Sequence, residues 1–226
     1  MSKSRPSKVA VVKQRRSIDF SQTLDRLKKQ YPDAHCALNF KNPFQLLIAT
    51  VLSAQCTDER VNIVTSELFK KYKKPKDLAD ESLDVIEQAI RSTGFYKNKA
   101  KNIKACCQIL TTKYNEKVPQ DIEQLVQLPG VGRKTANVVL GNAYGIASGV
   151  VVDTHVTRLS NRFGWVKTED AVKIESALNK ICQQEDWVML SHYLIAHGRQ
   201  ICKARNPHCQ DCFLSKDCPQ RGIKLA

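Results

Sequence analysis

The sequence predicts an all-α protein. Apolar residues recur at the three- and four-residue spacing of helices that face a shared core, as at Val61, Val64 and Leu68 and again across residues 103–114. The alternation typical of strands is nearly absent, since SGVVVDTH, residues 148–155, is the one β-like run. Short turns rich in Pro, Gly and Asn separate the apolar stretches. We therefore expect about ten helices.

The composition points to a polyanionic partner. The 226 residues include 36 Lys and Arg against 22 Asp and Glu, a formal net charge of +14. Nucleic acid is therefore the first partner to consider, and a membrane surface is the second. The chain is long enough to bury a large core in one or two domains. Its longest apolar run, residues 44–54, is shorter than the roughly 18 to 20 residues of a membrane span, so we expect no transmembrane helix.

The chain starts with a predicted basic arm. Residues 1–16 contain six Lys and Arg and no acidic residue, and they lack the apolar segment of a secretory signal. We interpret this arm as disordered, although an organellar transit peptide has the same composition and stays an alternative. The expected location is the cytoplasm, in association with the nucleoid if the source is bacterial.

The stretch LPGVGRKTANVVL, residues 128–140, predicts a helix-hairpin-helix. Pro129 presets φ, while Gly130 and Gly132 allow backbone conformations that a side chain would block. Helical patterns precede and follow the turn, so the second helix directs its N-terminus outward. Its free N–H groups would bind a DNA phosphate without reading the base sequence, with Gly130, Gly132 and Arg133 at the contact. The alternative is a corner that only joins two core helices.

Lys134, in the same stretch, is a candidate nucleophile. An ordinary lysine has a pKa of about 10.4 and is neutral in roughly one molecule in a thousand at neutral pH, so the site must favour the free amine. A helix N-terminus, the adjacent Arg133 and partial burial would each do so, and lysines tuned in this way form Schiff bases. A simple phosphate contact is the alternative role for Lys134.

Asp153 lies between an apolar run and a predicted helix that starts near His155. Either Asp153 or Thr154 would cap that helix, and backbone N–H groups that bind a carboxylate keep it ionised. A persistent anion is suited to stabilise positive charge, which develops at the deoxyribose C1′ when a base departs. The alternative is that Asp153 serves only as the helix cap.

Four clustered cysteines predict a metal centre near the end of the chain. Cys202, Cys209, Cys212 and Cys218 follow the spacing C-x6-C-x2-C-x5-C, and both a structural zinc and a 4Fe–4S cluster accept four thiolates. Nine cysteines without a secretion signal indicate a reducing compartment. We expect the other five to be core thiols, mostly on apolar helix faces: Cys36, Cys56, Cys106, Cys107 and Cys182.

Together these motifs resemble the endonuclease III family, the helix-hairpin-helix DNA glycosylases that are also abasic-site lyases. The hairpin, then VDTH followed by RLSNRFGW, and then the cysteine spacing occur in the order of the family. The stretches PFQLLIATVLSAQCTD and TGFYKNKAKNI match as well. The resemblance covers about residues 17–220 and leaves the basic arm outside.

The resemblance implies a fold and a cofactor. Residues 37–146 would form a six-helix barrel domain that contains the hairpin. Residues 17–36 and 147–226 would form a second domain, whose four clustered cysteines hold a 4Fe–4S cluster. Double-stranded DNA with a damaged base or an abasic site would lie across the groove between the domains, with the damaged base flipped into a pocket. We expect the protein to act as a monomer.

The resemblance also implies a reaction in base excision repair. Lys134 matches the Schiff-base lysine of the family and Asp153 its catalytic aspartate, in an enzyme that removes oxidised pyrimidines of the thymine glycol type and cleaves the abasic site by β-elimination. Gln55 matches the residue that fills the gap left by the flipped nucleotide. Phe95 stands where the family commonly has a leucine wedge, a role that phenylalanine can also perform. Without the resemblance, Gln55 and Phe95 could equally be structural turn residues.

Two other functions stay open at this point. A relative that excises adenine or a mismatched base would need no lysine nucleophile, and the presence of Lys134 disfavours it. A noncatalytic DNA-binding module would use the metal and the hairpin only to hold the backbone. The occurrence of Lys134 and Asp153 together at the expected motif positions disfavours that alternative.

Overall fold

The computed structural model describes residues 17–223, so the predicted arm at residues 1–16 lies outside the described part of the chain. Within residues 17–223 the protein is all-α, as predicted, and residues 148–153 connect two helices without pairing as a strand. This part of the chain forms two short 3-10 turns, Arg91–Thr93 and Gln184–Asp186, and eleven α-helices: α1 Phe20–Gln30, α2 Pro43–Leu52, α3 Asp58–Lys71, α4 Pro75–Asp80, α5 Leu83–Ile90, α6 Tyr96–Lys113, α7 Ile122–Leu125, α8 Arg133–Tyr144, α9 Thr154–Arg162, α10 Ala171–Ile181 and α11 Trp187–Gln200.

Polar side chains fix where many of these helices begin. Each capping side chain accepts a hydrogen bond from a backbone N–H two or three residues further along, which stabilises a helix start by about 0.5 to 2 kcal/mol. Pro43 and Pro75 occupy the first position of α2 and α4, where no backbone donor is needed. The helix starts are thus encoded locally in the sequence. The capping residues are Asp19, Asn42, Thr57, Ser82, Asp121, Asp153 and Asp170.

One buried cluster is built around α2. This helix is apolar on every face, and Leu46, Leu47 and Ile48 are completely inaccessible to solvent. A helix of this kind is stable only when other elements surround it, and here α3, α6 and α8 pack against it. The cluster consists of buried side chains between Leu38 and Leu140.

A second buried cluster joins α1 to the C-terminal helices. Leu24 and Leu27 of α1 pack with apolar side chains of α9, α10 and α11. The backbone N–H of Ile18 donates to the carbonyl of Phe163 at 3.0 Å, and Trp165 Nε1 donates to the carbonyl of Ile18 at 3.1 Å. The N-terminal helix is therefore part of the C-terminal half of the structure. The predicted domain boundaries stay a prediction.

Helix α8 lies where the two clusters meet. It packs against α2 and α7 of the first cluster and against α11 of the second. A Cβ at Gly141 would lie 2.9 Å from Cγ2 of Val188, so glycine permits the close approach of α8 and α11. The hairpin helix is consequently held from both sides.

Three of the five cysteines outside the clustered four are buried, as expected: Cys106, Cys107 and Cys182. Cys36 and Cys56 are half-buried in loops, and Cys182 lies directly after α10, so the expectation that most of the five are on helix faces is wrong. Burial raises the pKa of Cys106 to about 12, so this thiol is unreactive at neutral pH. No helix in residues 17–223 has the length and apolar character to cross a bilayer.

Candidate active site and metal centre

The hairpin turn is held on the first cluster. Leu128 and Val131 are buried, and the N–H of Val131 donates to the carbonyl of Leu128 at 3.0 Å. Gly130 has φ +77°, and a Cβ there would lie 2.9 Å from Cβ of Asn102. The left-handed backbone and the lack of space both exclude a side chain at Gly130. The turn joins α7 to α8, which confirms the predicted helix-hairpin-helix.

Gly132 has a different role from Gly130. Its φ is −89°, and no atom lies within 4 Å of a Cβ built there, so the expectation that Gly132 also requires a special conformation is wrong. Gly132 is the exposed cap residue of α8 and has no side chain to bind the first-turn N–H groups. These donors, at the positive end of the helix dipole, are suited to an anion. A phosphate contact at Gly130 and Gly132 stays a prediction.

Lys134 and Asp153 border the same cleft, which has a volume of about 720 Å³. Lys134 is the second residue of α8, so it has the predicted position at a helix N-terminus beside Arg133. Its side chain is exposed, and the expected partial burial is therefore wrong. The structure places an amine and a carboxylate on one open surface, although they come from different helices.

Asp153 is the cap of α9, as predicted. Its Oδ1 accepts a hydrogen bond from the N–H of Val156 at 2.8 Å. The three residues before it, 150–152, are buried valines, and Val150 and Val152 belong to the second cluster. The carboxylate is half-buried and is held at the edge of the cleft by its own helix.

A buried carboxylate that the sequence does not predict holds the two sides of the cleft together. Glu175 of α10 is 6% exposed, and its Oε2 accepts a hydrogen bond from Arg133 Nε at 2.9 Å. Its Oε1 accepts from Asn137 Nδ2 at 3.0 Å, and Asn137 Oδ1 accepts from Ser148 Oγ at 2.8 Å. The bond to Glu175 raises the pKa of Arg133. Arg133 is therefore committed to an ion pair, and its DNA contact stays a prediction for the rest of its guanidinium.

Gln55 and Phe95 share an uncommon backbone conformation. Gln55 has φ 53° and Phe95 has φ 48°, in the left-handed region that residues other than glycine rarely adopt. Both side chains are exposed, and Phe95 is 67% accessible although it is a large apolar residue. Strained residues of this kind cluster at functional sites. Their predicted insertion into DNA stays a prediction.

The four clustered cysteines border one small cavity. No three His, Cys, Asp or Glu side chains within residues 17–223 converge on a single-ion site. The four thiols surround one shared space, and this donor set fits a 4Fe–4S cluster as well as a zinc ion. Burial raises the pKa of Cys218 to about 11, so its thiolate needs the positive charge of bound metal.

Two side chains donate to sulfur atoms of this site. Arg162 Nη1 lies 3.3 Å from Cys202 Sγ, and His197 Nε2 lies 3.6 Å from Cys212 Sγ. The Tyr31 hydroxyl lies 2.8 Å from His197 Nδ1. When Cys212 ligates a metal as the thiolate, which only accepts, Nε2 would carry the proton and Nδ1 would accept from Tyr31. The cysteines thus lie among N–H donors, the usual environment of iron-bound thiolates.

The hairpin, the cleft and the four-cysteine cavity are the features in which this chain agrees with known proteins. Residues 48–184 match the HhH-GPD superfamily of base excision DNA repair proteins. Residues 202–218 match the iron-sulfur binding domain of endonuclease III and contain the four cysteines. The chain belongs to the endonuclease III family. The predicted all-α glycosylase fold and the 4Fe–4S cluster are confirmed, and zinc is set aside.

Curated relatives and solved structures agree with this assignment. Endonuclease III of Synechocystis sp. is 52% identical over 193 residues, which cover 85% of this chain and 88% of the relative. Endonuclease III of Bacillus subtilis is 46% identical over 196 residues, which cover 86% and 89%. A trapped covalent intermediate of an endonuclease III with DNA superposes with a TM-score of 0.84 at 49% identity, covering 88% of this chain and 93% of that one. The protein is thus a DNA-binding glycosylase of the endonuclease III type.

The two hairpin glycines are expected to respond differently to a methyl group. Gly130→Ala must place a side chain at positive φ against Asn102, so we expect the free energy of unfolding to fall by roughly 1 to 3 kcal/mol. Gly132→Ala has room for its Cβ. Its free energy of unfolding should therefore lie within about 1 kcal/mol of that of the parent protein. Urea denaturation measures both changes. Equal losses in the two variants would contradict this account of the turn.

Gly132→Ala should nevertheless weaken DNA binding, because its methyl group would stand beside the first-turn N–H groups of α8. We expect a loss of about tenfold or more in affinity for undamaged duplex DNA, since hydrogen bonds to charged groups contribute roughly 1.5 to 3 kcal/mol. Fluorescence anisotropy at fixed salt measures the affinity. An unchanged dissociation constant would contradict a phosphate contact at Gly132.

The cysteine set makes a separate prediction. Cys218→Ser removes one of the four thiolates, so the purified protein should lose iron, acid-labile sulfide and its brown colour. Cys36→Ser removes a half-buried thiol outside the set and should keep all three. Metal analysis and the visible absorption spectrum test this. Full iron content in Cys218→Ser would show that another residue completes the site.

Proposed function

We propose that this protein is a bifunctional enzyme, which removes oxidised pyrimidines of the thymine glycol type from duplex DNA and then cleaves the abasic site. Lys134 would be the nucleophile and Asp153 the electrostatic partner. The observation that supports the proposal most directly is that the two side chains border one cleft although they come from separate helices. Their motifs alone do not require this juxtaposition.

DNA binding would begin with charge and backbone contacts. The formal net charge of +14 favours association with a polyanion at any sequence. The first turn of α8 would hold a phosphate next to the lesion and so bring Lys134 to the sugar. The damaged nucleotide would rotate out of the stack, which costs a few kcal/mol and least for a base that is already poorly stacked. Gln55 and Phe95 would occupy the space that it leaves.

The chemical steps would then depend on the free amine of Lys134. The exposed side chain of Lys134 would lose its contact with water when DNA covers the cleft. The lone pair of Nζ attacks C1′, and the glycosidic bond breaks with its electron pair leaving on the base. The carboxylate of Asp153, held by the N–H of Val156, stabilises the positive charge on the sugar.

Strand cleavage would follow from the same covalent bond. The C1′–O4′ bond opens and leaves a Schiff base between Lys134 and C1′. Loss of a proton from C2′ then expels the 3′ phosphate, which is β-elimination. Hydrolysis of the Schiff base returns the amine. In this series of steps, one lysine serves both the glycosylase reaction and the lyase reaction.

The cluster would serve the fold in this mechanism. Cys202, Cys209, Cys212 and Cys218 would hold it, and when bound it would supply the positive charge that keeps the four thiolates ionised. Arg162, which also borders the cleft, donates to Cys202 Sγ and to the carbonyl of Lys203, and so connects the loop 202–218 to the cleft. We propose that one copy of the chain, acting as a monomer, suffices for both reactions.

Borohydride trapping tests the role of Lys134. Reduction of a Schiff base makes a stable covalent adduct, so the parent protein with an abasic-site duplex should give a band of protein linked to DNA. Lys134→Ala should give no adduct, while Lys173→Ala, which removes an exposed lysine of α10, should give the parent yield. An adduct that survives in Lys134→Ala would assign the nucleophile to another amine. No adduct from iron-replete parent protein would favour a lysine-independent glycosylase.

Asp153→Asn separates the electrostatic role from the structural one. Asparagine caps helices as well as aspartate does, so the thermal midpoint should stay near that of the parent. Loss of the negative charge should slow single-turnover excision of thymine glycol by roughly 10² to 10³, the range found for other transition-state electrostatic contacts. A parent-like excision rate in a correctly folded variant would reduce Asp153 to a helix cap.

A further inference from the structure

Lys99 is the one buried lysine within residues 17–223, with 5% of its surface exposed. Taking an ammonium group out of water is unfavourable unless other groups replace its hydration. The ammonium of Lys99 therefore needs hydrogen-bond acceptors inside the first cluster that replace its hydration. The reaction outlined above does not use it.

The partners of Lys99 are two backbone carbonyls from different parts of the chain. Its Nζ donates to the carbonyl of Leu52 and to that of Thr93, each at 2.8 Å. Leu52 ends α2, and Thr93 ends the 3-10 turn that follows α5. Carbonyls at helix ends lack partners within the helix, and a cation there also complements the helix dipole. The ammonium thus donates to one carbonyl at the end of each of these elements.

Each of the two carbonyls lies in or directly before a segment that we expect to enter DNA. The Gln55 turn, residues 53–57, starts directly after Leu52, and the Phe95 turn, residues 91–95, contains Thr93. Lys99 also reaches the Phe95 turn through its backbone, because its N–H donates to the carbonyl of Phe95 at 3.1 Å. Carbonyls at two turns that are distant in sequence thus accept hydrogen bonds from the same nitrogen atom. The turns cannot separate without breaking one of these buried hydrogen bonds.

The conformation of the two turns adds a second observation. Both tips, at Gln55 and Phe95, have positive φ, a strained state that persists only where the surroundings over-determine it. Thr93 is buried, and its hydroxyl donates to the carbonyl of Ile90 at 2.8 Å, so the Phe95 turn is held on its other side too. Lys99 Nζ is a direct hydrogen-bond contact between the two segments that carry these tips.

We propose that Lys99 is a positioning residue, which holds the Gln55 turn and the Phe95 turn at a fixed separation so that both enter the duplex together when the lesion is extruded. The inference rests on the proposed insertion of Gln55 and Phe95. Its physical basis is preorganisation: side chains already at the correct spacing need no ordering at the moment of base flipping, and misplacement by about 1 Å can cost up to 10²-fold in rate.

The chain offers a matched control for a purely structural role. Lys104 lies on the same helix, is half-buried, and its Nζ donates to the carbonyls of Ala79 and Glu81. The chemistry is the same as at Lys99, but the loop that it holds follows α4 and contains no residue predicted to touch DNA. Lys104→Met should therefore lower the stability without changing base extrusion.

The experiment compares Lys99→Met with Lys104→Met in the iron-replete protein. Thermal unfolding reports stability, and the fluorescence of 2-aminopurine placed beside a thymine glycol reports unstacking in stopped flow. For Lys99→Met we expect extrusion and single-turnover excision to slow by at least about tenfold. Borohydride adduct formation on an abasic site, where no base has to be extruded, should slow much less. Lys104→Met should match the parent in all three rates.

The outcomes separate this inference from the proposed function. Excision by the parent protein together with equal extrusion rates for both variants would overturn the role of Lys99 and leave the function standing. No excision and no adduct from the parent would overturn the function, and with it the role of Lys99. If Lys99→Met does not fold, Lys99→Arg takes its place. Its planar head keeps the cation but changes the spacing of the two acceptors, so slower extrusion is again expected, and a parent-like rate would overturn the proposal.

Discussion

Glu175 is the contact on which the geometry of the cleft depends, because the two proposed catalytic residues belong to different packing clusters. Lys134 is carried by α8, which closes the first cluster, while Asp153 ends a segment that is buried in the second. The carboxylate of Glu175 binds Arg133 and Asn137 of α8 from within the second cluster. In a region of low dielectric a satisfied network of this kind is stiff. The amine and the acid are consequently placed relative to each other by a third group that touches neither.

The sequence predicts this protein well wherever the relevant contacts are local. A cap such as Asp153 binds an N–H three residues away, and a turn such as that at Gly130 is encoded within five positions, so both can be recognised from spacing alone. The four cysteines are equally local. Gly132 shows the limit of this approach. A glycine provides either an unusual backbone conformation or access to the backbone, and only the backbone angle distinguishes the two.

Contacts between distant segments could not be predicted in the same way. Glu175 and Arg133 are 42 positions apart, and Lys99 and Leu52 are 47 apart. Nothing in the helical pattern around these charged residues tells a solvated face from a buried and fully paired one. The exposure of Lys134 has the same origin, since burial depends on which elements pack over a helix end. The hydrophobic pattern of the sequence therefore does not predict which polar residues make contacts between helices.

The packing of α1 against the C-terminal helices has a consequence for how the chain folds during synthesis. The first cluster uses a nearly continuous stretch of chain, from Leu38 to Leu140, and can form once that stretch has left the ribosome. The second cannot close until Trp165 reaches Ile18, 147 positions earlier, which is a contact of high order and slow to form. Until then the apolar face of α1 has no partner. During most of its translation, a nascent chain of this protein therefore keeps the apolar face of its N-terminal helix without the helices that cover it in the folded protein.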